Sequence, residues 1–120
     1  MKRVFLSILF FSGLLLSASA QTKAVKTAKI SLPTINCEMG KAQIETYLKR
    51  YDGVGAITVN VKKKEATVKY LVDRITEEEI KTAIANAGYD AAEITADEGA
   101  YKRLPVCCKK PEDGGNKKKN

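Results

Sequence analysis

No histidine occurs anywhere in the 120 residues. That absence removes the commonest acid–base side chain, the nucleophile–imidazole pairings, and His-ligated zinc. Three other chemistries also lack their residues. There is no Ser nucleophile motif, no glycine loop of the kind that cradles phosphates, and no carboxylate pair in a catalytic setting. Aromatics are scarce, at 7%, and all three phenylalanines (Phe5, Phe10, Phe11) fall near the start. Any domain further along must build its core from aliphatics and tyrosine. The longest apolar run, Val4 to Leu16, is shorter than the ~20 residues a membrane span needs.

That run reads instead as a secretory signal, residues 1–20. It has a basic start at Lys2 and Arg3, an apolar middle, and a small-residue end, Ala18-Ser19-Ala20. Cleavage is expected before Gln21, giving an exported, periplasmic or extracellular chain that is not an integral membrane protein. Removing Lys2 and Arg3 leaves 19 basic residues against 14 acidic ones, a net charge of +5. What remains has room for one small domain, near the size where core burial alone gives marginal stability.

The chain has 3 cysteines, Cys37, Cys107 and Cys108. An odd number in an exported chain cannot close into a complete disulfide framework. At least one thiol is free, pairs with another molecule, or binds something.

Hydrophobic patterning divides the segment 21–95 into six elements. Ala28, Ile30 and Leu32 alternate with Lys29 and Ser31 as a first strand, ended by Pro33. Ile44, Leu48 and Tyr51, with Tyr47 beside them, stripe a helix from about Glu38 to Arg50. Ile57, Val59 and Val61 share one face of a second strand, and Lys62-Lys63-Lys64 turns the chain as a solvated hairpin. Ala66, Val68 and Tyr70 face inward from a third strand. Thr76 and Glu79 form a capping box for a second helix, which presents Ile80, Ala83, Ile84 and Ala87 and stops at Gly88. Ala91 to Thr95 is expected to be a short fourth strand. The order βαββαβ is the ferredoxin-like α+β sandwich: a four-stranded antiparallel sheet with two helices on one face. Such a sheet also occurs in RNA-binding modules, which stack bases on exposed aromatics. The outward positions here are Lys, Thr and Asn, so no nucleic-acid partner is expected. Residues 96–120 form a basic tail. Asp97 to Leu104 can make one or two helical turns, Cys107-Cys108 follows, and disorder is expected from Glu112 onward.

The chemistry concentrates where the first strand meets the first helix, at Thr34-Ile35-Asn36-Cys37-Glu38-Met39-Gly40. Unpaired N–H groups at a helix start favour negative charge, and a thiolate is a soft ligand for Cu(I), Zn(II) and similar ions. The spacing around Cys37 resembles the heavy-metal-associated domain of copper chaperones, metal-transporting P-type ATPases and the periplasmic mercury-binding protein. That family carries Met-x-Cys-x-x-Cys, then a hydrophobe, Leu and Gly-Val at seven, eleven, and sixteen and seventeen residues after the first Cys. Ile44, Leu48, Gly53 and Val54 stand at those positions. The likeness runs on through Glu65-Ala66-Thr67-Val68-Lys69-Tyr70 and Ala87-Gly88-Tyr89-Asp90-Ala91, over about residues 25 to 95. It departs at two points: the second Cys of the motif is Gly40, and the usual Met is Ile35.

The resemblance implies a non-enzymatic protein that carries or sequesters a soft ion, Cu(I) or Hg(II), with a metal-transporting membrane protein as partner. Cys37 would be the loop ligand, and Cys107, Cys108 or the thioether of Met39 would supplement it. Gly40 is expected to leave an empty volume where the second family sulfur lies, so that Gly40→Cys strengthens binding. Lys109 and Lys110 are expected to favour the thiolate form of the neighbouring pair. The fourth strand should leave Thr95 at the end away from the loop, from which the tail has to return. Other readings stay open at this point. Cys37 can be a packed structural residue, in a degenerate domain that serves protein interaction. Cys107-Cys108 can perform thiol–disulfide exchange. Tyr89 can shield an ion or simply pack. A monomer and a dimer bridged by metal both satisfy the sequence.

Overall fold

The computed structural model describes residues 24–115. The signal segment, the Gln21 cleavage point and the last five residues lie outside them.

The sheet is centred on β3 (Glu65–Leu71), which pairs antiparallel with β1 (Val25–Ser31) and with β2 (Val54–Asn60). Alternation sets the inner face: Ala28 stands opposite Val68 and Ile30 opposite Ala66 on one side, and Ile57 opposite Val68 and Val59 opposite Ala66 on the other. Ala66, Val68 and Tyr70 are buried between them. A register shift between Val54 and Ile57 bends the start of β2.

Two helices cover that face. α1 (Glu38–Leu48) buries Ile44 and Leu48 completely, while Tyr47 and Tyr51 pack at its margin with ring centroids 5.7 Å apart. α2 (Glu77–Asn86) begins with the expected capping box. Thr76 Oγ1 accepts from Glu79 N–H at 3.2 Å, and Glu79 Oε2 accepts from Thr76 N–H at 2.7 Å. Ile80, Ala83 and Ile84 are its core residues. Gly88 follows at φ +101°, in the left-handed region. A side chain there would stand 3.1 Å from the Ala100 carbonyl carbon and from the Tyr101 nitrogen. The glycine thus both stops α2 and lets a later segment approach.

That segment replaces the expected fourth strand. Among the described residues the sheet has three strands, in the order β1-β3-β2. Ala91 to Thr95 makes a tight turn instead, with a lone bridge between Ala91 and Ile94 and Ala92 at φ +51°. Ala92 N–H donates to Ser31 O at 2.7 Å, the beginning of a ladder that goes no further. Asp90 closes the turn by accepting from Ala96 N–H at 2.7 Å, and Asp97 N–H donates to Ala85 O at 2.9 Å. Asp97 then caps a new helix, α3 (Glu98–Lys102), through Ala100 N–H at 2.7 Å. Short carboxylates that bond nearby N–H groups favour turns and caps over ladders, and here they win over a segment with one β-branched residue before Thr95.

Thr95 therefore stays near the loop rather than at the opposite end. Beyond α3 the chain makes two 3₁₀ turns, Val106–Cys108 and Pro111–Asp113, so Glu112 and Asp113 lie in regular structure where disorder is expected from sequence. Leu104 and Cys108 join the core formed by the sheet and the two long helices.

Candidate metal centre

β1 delivers the loop. Ile35 N–H turns back to Leu32 O at 3.1 Å, and Thr34 Oγ1 accepts from Asp90 N–H at 3.0 Å, tying the loop to the chain after α2. Cys37 then sits in extended conformation (φ −148°, ψ 155°) as the N-cap of α1. Its sulfur accepts from Gly40 N–H at 3.3 Å, the role an oxygen usually plays at a helix start. The Cys37 sulfur is thus aimed by the first turn of the helix.

The tail reaches the same place. Asn36 Nδ2 donates to Lys109 O at 2.6 Å, and Lys110 N–H donates to Tyr101 Oη at 2.9 Å while Tyr101 in turn donates to Asp113. Val106–Cys108 lies within the loop that the Tyr101–Lys110 bond closes. The result is a cluster in which Cys37 Sγ and Cys108 Sγ are 2.6 Å apart and Cys107 Sγ is 3.9 Å from Cys108 Sγ. All three sulfurs fall within 4.8 Å of one another. Cys108 is buried, Cys37 half-buried and Cys107 exposed. Met39 is 51% exposed and lines a groove with Gln43, Arg103 and Leu104.

The volume at Gly40 is full. A Cβ built there would stand 2.8 Å from Ile35 Cδ1 and 2.9 Å from Tyr89 Oη. Ile35 and Tyr89 are both completely buried. The residue standing in place of the family Met and the ring after Gly88 thus occupy the space expected to be empty. Tyr89 donates its hydroxyl to Gln43 Oε1 at 2.6 Å, so it is a satisfied core residue as well as a wall of the thiol cluster.

Burial controls the protons here. It pushes the Cys108 thiol up to about 12 from 9.0, with Cys37 adding to the rise and Tyr89 opposing it. Tyr89 also rises above its usual 10.0, first through burial and then through Cys108. At Cys108, then, the thiolate form expected from the neighbouring lysines is disfavoured, because the thiol is removed from water.

The profile described as Heavy-metal-associated domain matches residues 29–90. The chain belongs to the heavy-metal-associated domain family. The match runs from β1 through the loop, both long helices and Tyr89, and ends before the turn that replaces the fourth strand. A copper-exporting P-type ATPase of Staphylococcus aureus is 32% identical over 69 residues, 58% of this chain and 9% of the ATPase. The chain thus spans about a tenth of that relative's length. The mercuric transport protein periplasmic component of Shewanella putrefaciens is 35% identical over 66 residues, 55% of this chain and 72% of that one. A solved copper binding domain from HMA7, a P-type ATPase, is 28% identical and superposes with a TM-score of 0.54, covering 60% of this chain and 96% of its own. This heavy-metal-associated domain keeps the family frame but draws its second and third thiols from outside it.

The sequence alone assigns no role to Asn36, Gln43 or Tyr101. Asn36 adjoins Cys37, and Tyr101 stands between two acidic stretches. Their partners are a backbone carbonyl, a buried hydroxyl and a backbone N–H, which leave no mark in sequence.

Proposed function

We propose that this heavy-metal-associated domain binds one soft metal ion, Cu(I) or Hg(II), through Cys37 and Cys108 with Cys107 as a third donor, and carries or sequesters it after export. The observation that carries this reading is the meeting of three sulfurs within 4.8 Å from two distant segments. Thiolates select soft ions, and neither histidine nor a carboxylate joins the cluster among the described residues. Binding displaces the Cys108 proton, which links affinity to pH. Tyr89 and Ile35 wall the buried side, while exposed Cys107 gives the ion a way in and out. The relatives' names point to a metal-transporting membrane protein as donor or acceptor, and the role is delivery rather than catalysis.

Competition titration of the reduced chain with Cu(I), with native mass spectrometry for stoichiometry, tests this. One ion per chain is expected. Cys37→Ser and Cys108→Ser should each weaken binding ~100-fold or more, equivalent to ~2.8 kcal/mol. The two changes together should be little worse than the weaker single variant, because ligands of one site act as a unit. Met39→Ala should leave affinity unchanged. Parent-like affinity in the Cys107→Ser, Cys108→Ser double variant would remove the tail from the site. Two chains per ion would instead make it a bridged dimer.

A further inference from the structure

We infer that Cys37 and Cys108 are a modification site: they join as a disulfide by exchange with a small disulfide such as oxidised glutathione, and this bond excludes the metal. The second half rests on the metal-binding reading above; the first does not.

Four observations converge on this pair. Their sulfurs are 2.6 Å apart, whereas Cys107 and Cys108 are at 3.9 Å. A bond requires about 2.05 Å, so only a small approach separates the first pair from bonding, and adjacent residues meet disulfide geometry poorly. The approach does not depend on the sulfurs themselves. Asn36 holds Lys109 O, and Tyr101 holds the Lys110 N–H of the same peptide group, just after Cys108. Gly40 offers no competing sulfur, and Ile35 and Tyr89 close the space beside it. Exposure also orders the reaction: a solute reaches half-buried Cys37, and buried Cys108 is reached from Cys37.

The chemistry balances in two exchanges. The Cys37 thiolate attacks one sulfur of oxidised glutathione, forming a mixed disulfide and expelling one glutathione thiolate. The Cys108 thiolate then attacks the Cys37 sulfur, forming the protein bond and expelling the second. Two protein thiols are oxidised, one small disulfide is reduced to two thiols, and the two protons pass to the leaving thiolates. A mixed disulfide begun at exposed Cys107 leads to the same product. Cys37 takes the Cys107 sulfur and releases glutathione, and Cys108 then takes Cys37 and releases Cys107. The exchange expected from sequence at Cys107-Cys108 is thereby relocated. Cys107 is left as a single thiol, without a second thiolate to share an ion.

The test treats the full chain with oxidised glutathione, alkylates it in denaturant and maps the peptides. The expected product has one alkylated thiol, Cys107, and a peptide linking Cys37 to Cys108. Cys107→Ser should give the same link with no thiol remaining. A Cys107–Cys108 bond, or a lasting mixed disulfide with Cys37 and Cys108 still alkylated, would overturn the proposal. The oxidised chain should not bind Cu(I) until reduced. Prior loading with Cu(I) should slow oxidation roughly tenfold or more, since a ligand of the reduced form protects it by mass action. Oxidised protein that binds Cu(I) as tightly as reduced protein overturns the exclusion. Reduced protein that binds none overturns the metal reading and the exclusion together, and peptide mapping alone then judges the disulfide.

Discussion

Gly40 decides where the second sulfur comes from. Its missing side chain is what lets the Tyr89 hydroxyl and the Ile35 methyl meet beside the first turn of α1. A methyl added there would displace a ring held by Gln43. Overpacking typically costs ~1–3 kcal/mol, against a helix-propensity gain of up to ~1 kcal/mol. Gly40→Ala is therefore expected to lower stability by ~1–2 kcal/mol, read as a lower urea midpoint at unchanged slope. An unchanged or raised midpoint would contradict the packing described. Gly40→Cys carries the same strain and should not strengthen binding, contrary to the sequence expectation. Cys37 was legible because its spacing to Ile44, Leu48, Gly53 and Val54 is local and periodic. The filled volume at Gly40 was not, because Tyr89 arrives from beyond α2 and only three-dimensional packing brings it there.

Among elements, the tail departs furthest from its sequence reading. β1, β3 and both long helices follow their periodicity, and Thr76 with Glu79 marks the start of α2 as expected. The fourth strand gives way to a tight turn that Asp90 closes by taking the Ala96 N–H, and Asp97 starts α3 by taking the Ala100 N–H. The apolar run Leu104-Pro105-Val106-Cys107-Cys108 signals packing in an otherwise polar tail, but it has no period to say onto what. Its attachment uses the Lys109 carbonyl and the Lys110 N–H, which any residue supplies. α3 and the following turn bury Ala100, Leu104 and Cys108. Full burial of one large apolar side chain stabilises by ~1.5–3 kcal/mol. Ending the chain after Ala96 is thus expected to lower unfolding free energy by ~2–5 kcal/mol in chemical denaturation. Equal midpoints for the truncated and full chains would show that the tail only rests on the domain.

For the whole molecule, the thiol cluster makes stability depend on alkaline pH. In the reduced, metal-free protein the folded state holds the Cys108 proton more tightly than the unfolded chain does, with pKa about 12 against 9.0. Tyr89 shifts in the same direction from 10.0. The folded state binds more protons, so the slope of stability with pH is negative. The contribution is complete below pH 9 and is lost as pH rises from 9 toward 12. Urea midpoints should fall across that window, and Cys108→Ala should flatten the fall. A flat parent profile would contradict the burial of Cys108. The three-stranded sheet has one more consequence. Among the described residues, the outer side of β1 has no neighbouring strand beyond the single bond at Ser31. Open strand flanks recruit foreign strands and seed aggregates. Here Lys26 stands in exposed β-structure, with the inward parity of Ala28 and Ile30. A strand adding to that flank would have to cover the ammonium group. A lysine at that position makes strand addition costly on the flank that the missing strand leaves open.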